Sequence, residues 1–576
     1  MFARAKTALD PQHNRRGQVI SADAAVIGAG IGGLTAAAML ARQGYKVAVL
    51  ERDVHPGGCA AGFSKDGYRF AVGATVAMGF EPGGLHQRIY KLLGQKPRYV
   101  NVDPAIRVHL PEHPERGEVT VNIATERQAW QAEVARAFPS DTVRETAAKQ
   151  AFWRKTAALA KGLGYAAKRF PVMPFKHLYD VLDTAKAAHP SLLPVFANLH
   201  RTVADLLTDI DDPYHRAFID GQLLDAMQTT ADNCVAPNGA LALDIYRAGC
   251  QYKIGGLETI AQDLADYVTA QGGVVLYSTL AKEIATDGRR VCGVATNRAN
   301  IDAPVVISAI PLANTANLLP TETPSDLPKR ADAQPEMWGA FTLYMGVDER
   351  ALPADVHFYE QVTDLDTHQA AGNCLISISP AWDRQRAPEG KRAITVSTHV
   401  EAARWLDIAH DKEAYQHEKH AFERLLLRQV ERALPNIRDG IEVFLSGTPK
   451  TFRGFTRRVG GTVGGIPQTR QAANFAAPSH RSDIGGLFLA GDTVFPGQGT
   501  LGVTVSGYNA ARSAGRYLNR TTAKRARARP LTQQDDTNPT RAPRQDDRIV
   551  TSSAELVTSQ NTPQPQDTSH SKEIPV

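Results

Sequence analysis

The 576-residue chain has only five cysteines, Cys59, Cys234, Cys250, Cys292 and Cys374. The number is odd and no two form a CxxC pair. That argues against a disulfide framework or a cysteine zinc site and fits a reducing compartment. No run of about 18 apolar residues occurs, so no membrane-spanning helix is expected. The first twenty residues carry Arg4, Lys6, Arg15 and Arg16 but no continuous apolar stretch, which is not a secretory signal. The expected location is therefore cytoplasmic. Net charge is only +5, too weak to argue for nucleic acid, though it leaves room for attraction to an anionic membrane surface. The seventeen histidines show no HExxH pattern and no GxSxG elbow follows a strand, so neither a metal site nor a hydrolase triad is expected.

What is present is a long alternation of strand and helix signals. It begins near Asp23, after a loose leader over residues 1–20, and fades near Leu518. Residues 521–576 are polar and rich in Ser, Thr, Gln and Pro. Such a composition buries too little apolar surface to offset its ordering entropy, so disorder is expected there. Between these ends, residues 21–85, 245–320 and 455–518 are rich in glycine and β-branched residues. Residues 86–244 and 321–454 carry longer helical and strand patterns. The alternation predicts a discontinuous cofactor domain with a second domain inserted twice.

The stretch DAAVIGAGIGGLTAAAMLARQGYKVAVLE, Asp23 to Glu51, reads as buried strand, GxGxxG turn, helix, second buried strand and terminal acid. Gly28 allows the tight turn, Gly30 lets the backbone approach a pyrophosphate, and Gly33 lets helix and strand pack closely. The helix N-terminus offers free N–H groups and a positive dipole end to phosphates. Glu51 stands about 20 residues on, where an acid accepts ribose hydroxyls. Gly57 and Gly58 follow at once, a placement that favours FAD over NAD, and Arg52 is a candidate cover for the adenine.

The matching half stands near the other end. LFLAGD closes a strand on Gly491 and Asp492, the latter a candidate partner for a ribityl hydroxyl. Gly497, Gln498 and Gly499 form a loop suited to close approach by the isoalloxazine ring. A helix begins at about Thr500, its N-terminus directed at the side of the flavin that carries negative charge on reduction. Both ends are expected to fold onto one cofactor. A third glycine-rich segment supports this: Gly255 and Gly256 open a helix, Val274 and Val275 begin a strand placed to meet the adenine, and Val305 to Pro311 returns to the sheet.

With these residues the chain resembles the phytoene desaturase and carotene isomerase superfamily, within the wider amine oxidase-like flavoproteins, over roughly residues 21–518. The resemblance implies an α/β fold: a Rossmann-like FAD-binding domain of the amine oxidase type with an inserted α+β substrate domain. GDTVFPGQG is similar to the FPGQG signature of carotene isomerases and related desaturases. Ala71 to His86 and Phe218 to Thr230 look most like bacterial carotenoid 3',4'-desaturases, which act near the end of a C40 chain. That likeness implies hydride transfer to flavin N5 and loss of a proton from the adjacent carbon. It also implies an apolar polyene substrate and an electron acceptor left open between oxygen and a quinone. Redox-neutral cis–trans isomerisation, retinol-type saturation, non-catalytic carotenoid binding and amine oxidation stay as alternatives.

No catalytic base stands out in the sequence. His86, Gln222 and Gln228 are polar groups set among apolar text, and each also suits an ordinary structural role. Phe152 to Leu182 interleaves Lys155, Lys161, Lys168, Arg169 and Lys176 with aromatic and aliphatic residues. That composition suits an amphipathic segment in a headgroup layer, or equally a helical subdomain with a solvated basic face. The first reading makes the chain a peripheral membrane protein.

Overall fold

Five short apolar segments scattered from Ala24 to Leu489 lie side by side in one parallel sheet. In the computed structural model, which describes residues 19–528, these are β1 (Ala24–Ile27), β2 (Val47–Leu50), β3 (Val274–Leu276), β4 (Val306–Ser308) and β5 (Leu487–Leu489). Their spatial order is β3-β2-β1-β4-β5, with Val26 opposite Val49 and Ile307 opposite both Val26 and Phe488. Such strands are covered on both faces, which is why they read as unbroken apolar runs rather than alternating ones. The chain leaves β1 toward β2 and returns on its other side as β4. That reversal opens a crevice beyond the carboxyl ends of the strands, the usual ligand position in this class of sheet.

Three helices pack on this sheet. They are α1 (Ile31–Arg42), α2 (Glu258–Ala270) and α3 (Gly499–Ala528). Leu34 and Leu40 of α1, Ile260 and Leu264 of α2, and Val505, Ala511 and Leu518 of α3 share one apolar core with Val26, Val49 and Ile307. Helix α3 runs past residue 520, through TTAKRARA. Ala, Arg and Lys are strong helix formers, so the helix outlasts its apolar stripe. The rest of the 521–576 tail lies outside the described residues. So does most of the leader, but Val19–Ser21 pairs in parallel with Asn300–Asp302 at the edge of a four-stranded sheet.

A second, seven-stranded sheet takes strands from both long intervening segments. Its order is Ile441–Gly447, Gly339–Asp348, Lys391–Val400, Asn373–Ile378, Tyr359–Thr363, Arg107–His113 and Gly117–Asn122. Val108 pairs with Gln361 in parallel, which joins the two segments in one sheet. Helices cover part of it. The helix Val143–Ala167 starts on Thr142, whose hydroxyl accepts the Glu145 N–H at 3.1 Å. The helix Pro213–Met227 starts on Asp212, which also takes the buried Lys149 ammonium at 2.7 Å. Trp153 packs edge-on against Trp130 and Phe152, Phe152 packs edge-on against the His215 ring, and Phe218 lies tilted against Trp153 and Phe138. The front of the Phe152–Leu182 stretch is thus core rather than membrane face, because a helix facing a large aromatic cluster gains more by burying its aromatics than by exposing them. No helix among the described residues is long and apolar enough to cross a membrane.

Candidate functional site

The crevice beyond the sheet opens into a cavity of about 2240 Å³, against roughly 300–1,000 Å³ for an ordinary small-molecule site. One wall is the expected cradle. Gly28, Gly30, Glu51, Arg52, Gly57 and Gly58 all face the cavity. Two of the motif's glycines have opposite roles. A side chain at Gly30 would meet nothing within 4 Å and would project into the space, whereas one at Gly33 would collide with the Gly28 carbonyl oxygen. Gly30 therefore keeps room for a ligand, and Gly33 keeps the helix on the strand. Glu51 holds the turn: its carboxylate accepts the Ala29 N–H and the Asp53 N–H, each at 2.8 Å. Burial pushes the Glu51 carboxyl up, and these backbone donors oppose that rise.

The other wall comes from the end of the chain. Gly491, Asp492, Gln498, Gly499 and Thr500 face the cavity, with the N-terminus of α3 among them. The Oε1 of Gln498 is buried without a hydrogen-bond partner among the described residues. Two of the expected residues sit elsewhere. Gly497 packs on the Gln468 side chain and not on the cavity. Val275 packs against the helical core beside β3, and Thr279, Leu280 and Ala281 line the cavity instead. The chain needs these few residues beyond the strand to turn back over the crevice. The open space at Gly30, the unpaired Gln498 oxygen and the exposed N–H groups of α3 fit a dinucleotide stretched between the two walls.

A segment the sequence reading passed over anchors this second wall. Arg458 pairs with Asp492 at 2.9 Å and is almost fully buried. Asp492 is thus anchored by a guanidinium, with its backbone joined to the Gly464–Gly465 turn through Ile466 N–H at 3.2 Å. The turn leaves no room for side chains: one at Gly465 would strike Asp492, and one at Gly464 would strike Gln228. The doublet in VGGTVGG was the available signal.

Gln228 leads to a polar cluster on the cavity wall. Its side-chain nitrogen lies 2.8 Å from His399 Nε2, and Trp338 Nε1 donates to its backbone carbonyl at 3.0 Å. With Nε2 accepting from the amide, the neutral His399 ring carries its proton on Nδ1, which faces Asp225 Oδ1 at 3.9 Å. Gln361 and Asn373 donate to the Asp225 carboxyl at 2.7 and 3.0 Å. Burial pushes Asp225 up to about 7 against these two amides, and burial drives His399 down to about 4. Asp225, Gln228 and His399 all line the cavity. The other two residues singled out from sequence do not. His86 is buried, with Nδ1 2.8 Å from the Met78 carbonyl and Nε2 3.2 Å from the Thr504 hydroxyl. Gln222 bonds Gln361 and positions it under Asp225. Asp225 lies inside the Phe218–Thr230 stretch but nothing there singles it out, and no local motif marks His399, because the two meet only through the second sheet.

The rest of the lining is largely apolar, including Ala157, Leu163, Leu192, Leu199 and Leu241. At its rim Phe175, Val181, Phe196 and Phe475 both line the cavity and are exposed. Phe175 meets Phe475 edge-on, ring centroids 5.7 Å apart.

Residues 31–514 match the model of a family described as flavin containing amine oxidoreductase. Prolycopene isomerase from Arabidopsis thaliana is 28% identical over 84% of this chain and 81% of its own length. The neurosporene-forming phytoene desaturase of Rhodobacter capsulatus is 25% identical over 84% and 92%. Among solved structures, an oxidoreductase from Methanosarcina mazei superposes with a TM-score of 0.58 at 19% identity, covering 86% of this chain and all of its own. The cradle and these likenesses agree: the chain belongs to the flavin-containing amine oxidoreductase family, as an FAD-dependent enzyme of the phytoene desaturase and carotene isomerase superfamily.

Proposed function

We propose that the protein desaturates a carotenoid, removing two hydrogens near one end of an acyclic or monocyclic C40 chain, at C-3',4'. The observation that carries this reading is a proton-accepting carboxyl set in the cavity wall. Beyond the cradle that wall is largely apolar, suited to a polyene, and Asp225 stands in it with a pKa of about 7. The two stretches that resemble 3',4'-desaturases both contribute to that wall, through Val72 to Val76 and through Asp225 to Gln228.

FAD, when bound, supplies the acceptor for the hydride lost by the substrate. Gly30, Gly58, Asp492, Gln498 and the N-terminus of α3 would hold it. The remaining chemistry belongs to the protein. A carbon next to one that has lost hydride on a conjugated chain is strongly acidic, so a carboxylate of near-neutral pKa suffices as base. Asp225 takes that proton. Gln361 and Asn373 hold its carboxyl in place, and the neutral His399, fixed by Gln228, leaves no competing charge beside it. The apolar walls keep water from the developing cation.

The exposed Phe175, Val181, Phe196 and Phe475 surround the way in, and Lys161 and Lys176 are exposed nearby in sequence. This rim suits contact with a lipid surface, from which such a substrate must be drawn. A peripheral membrane location follows.

A second reading has its own support. The prolycopene isomerases are more similar in sequence than the desaturase, at 28% against 25% identity, which favours redox-neutral isomerisation. Expression in a host that makes acyclic carotenoids, followed by pigment mass analysis, separates the two. Loss of two hydrogens supports desaturation. Unchanged mass with altered retention supports isomerisation and overturns the first reading.

A further inference from the structure

One charge on the cavity wall is left uncompensated. Arg247 follows the helix Ala236–Asp244 in a short 3-10 turn, Ile245–Ala248. Its guanidinium lies over the Trp130 ring, 4.6 Å from the centroid. Nε, Nη1 and Nη2 are all buried without a hydrogen-bond partner among the described residues. The neighbouring carboxylate is already taken: Asp244 accepts both Arg127 nitrogens, at 2.7 and 2.8 Å. Arg127 and Asp244 together are neutral, and Asp103 acts on Arg247 only at a distance, so the Arg247 guanidinium has no bonded counter-charge. Burial lowers the Arg247 guanidinium to about 10, the nearby Asp244 opposing that fall, so it stays charged at neutral pH. Arg247, Arg127 and Asp244 line the cavity together with the apolar Ile106 and Ile245.

A buried guanidinium with five unused N–H groups is costly to leave unpaired. A pure hydrocarbon would leave it so. We infer that Arg247 receives an oxygen-bearing end group of the chain-like substrate, so that the natural substrate is a polyene oxygenated at one end. The acceptor is a carboxylate or a hydroxyl. The inference rests on the polyene reading for the word substrate, but the subsite itself does not depend on it.

The test uses the FAD-loaded protein and three probes of one chain length: oleic acid, oleyl alcohol and octadecene, titrated calorimetrically. The parent should bind the acid, or the acid and the alcohol, about 10- to 100-fold tighter than the hydrocarbon, the range of hydrogen bonds to a charged group. Arg247→Met should erase that preference while leaving octadecene binding and flavin content intact, and Arg247→Lys should restore part of it. A lead for the acid alone marks a carboxylate end, and equal gains for acid and alcohol mark a hydroxyl end. Equal affinity for all three probes in the parent overturns the inference. So does a preference that survives in a folded, flavin-bearing Arg247→Met protein. Probe preference without any change in carotenoid pigments would retain the subsite and reject the desaturase reading.

Discussion

The flavin cradle and the polyene wall line one cavity but are built in different ways. The cradle is mostly backbone: glycines, helix N-termini and carbonyls whose positions follow from short motifs around Gly28 and Gly491. The wall is mostly side chains, and its proposed base, Asp225, is held by a helix and two strands far apart in sequence. A backbone site tolerates no added volume but little depends on any one functional group. A side-chain site tolerates reshaping but fails when one group is lost.

The largest contrast lies within the cradle. Gly33→Val should prevent folding, since its side chain meets the Gly28 carbonyl with no way to relax, a clash at or beyond the ~1–3 kcal/mol of ordinary overpacking. Gly30→Val should fold and yet bind no FAD, because its side chain enters only the cavity. Thermal unfolding and flavin content read both. A Gly30→Val protein that keeps its flavin would mean that the cradle is misplaced.

Asp225→Asn should do the reverse: full flavin, but turnover lower by about 100- to 10,000-fold. A stability signature accompanies it. The folded carboxyl holds its proton up to about pH 7, whereas an unfolded one releases it near pH 3.9. The folded state thus binds more protons between these values, and stability falls as pH rises from about 4 to 7. That slope should be shallower in Asp225→Asn, measured as Tm against pH. An unchanged slope and normal turnover would remove Asp225 from the mechanism.

Effects at the rim should be smaller. Replacing Phe196 with Glu should weaken flotation with anionic liposomes by roughly tenfold or more, from about 1.5–3 kcal/mol for an apolar side chain withdrawn, with FAD retained. Flotation equal to the parent would leave the rim without a lipid role. Smallest of all, Glu51→Gln should weaken FAD by about tenfold, because the neutral amide gives up charge-assisted hydrogen bonds while keeping the shape. Equilibrium dialysis against FAD measures it.

The difference between the regions also explains what could be read in advance. Gly28, Gly30, Gly58, Asp492 and Gln498 could be brought to one cavity in advance because a dinucleotide motif fixes residue type and spacing together. Val275 lies within β3 and off the cavity lining, since a strand pattern does not say where the chain turns over the crevice. Phe152 and Trp153 were read toward a lipid face because composition cannot tell an aromatic cluster buried against Trp130 from one exposed. The fold class was recoverable from five apolar runs and three glycine turns. Asp225 and His399 were not, because their meaning lies in the pairing of Tyr359–Thr363 with Asn373–Ile378 and of the latter with Lys391–Val400. Gln222 and Gln228 stand close to Asp225 in the chain, but no spacing there says which strands will face it.

Centrally, the two regions act on one molecule, the cradle holding the flavin that would take the hydride and the wall accepting the proton. The most direct measurement is anaerobic mixing of the FAD-loaded protein with an acyclic, end-oxygenated carotenoid, following flavin absorbance and product mass together. The account predicts bleaching of the flavin matched by a product two hydrogens lighter, and no bleaching in Asp225→Asn. A flavin that stays oxidised while the parent protein binds or isomerises the carotenoid at unchanged mass would contradict it.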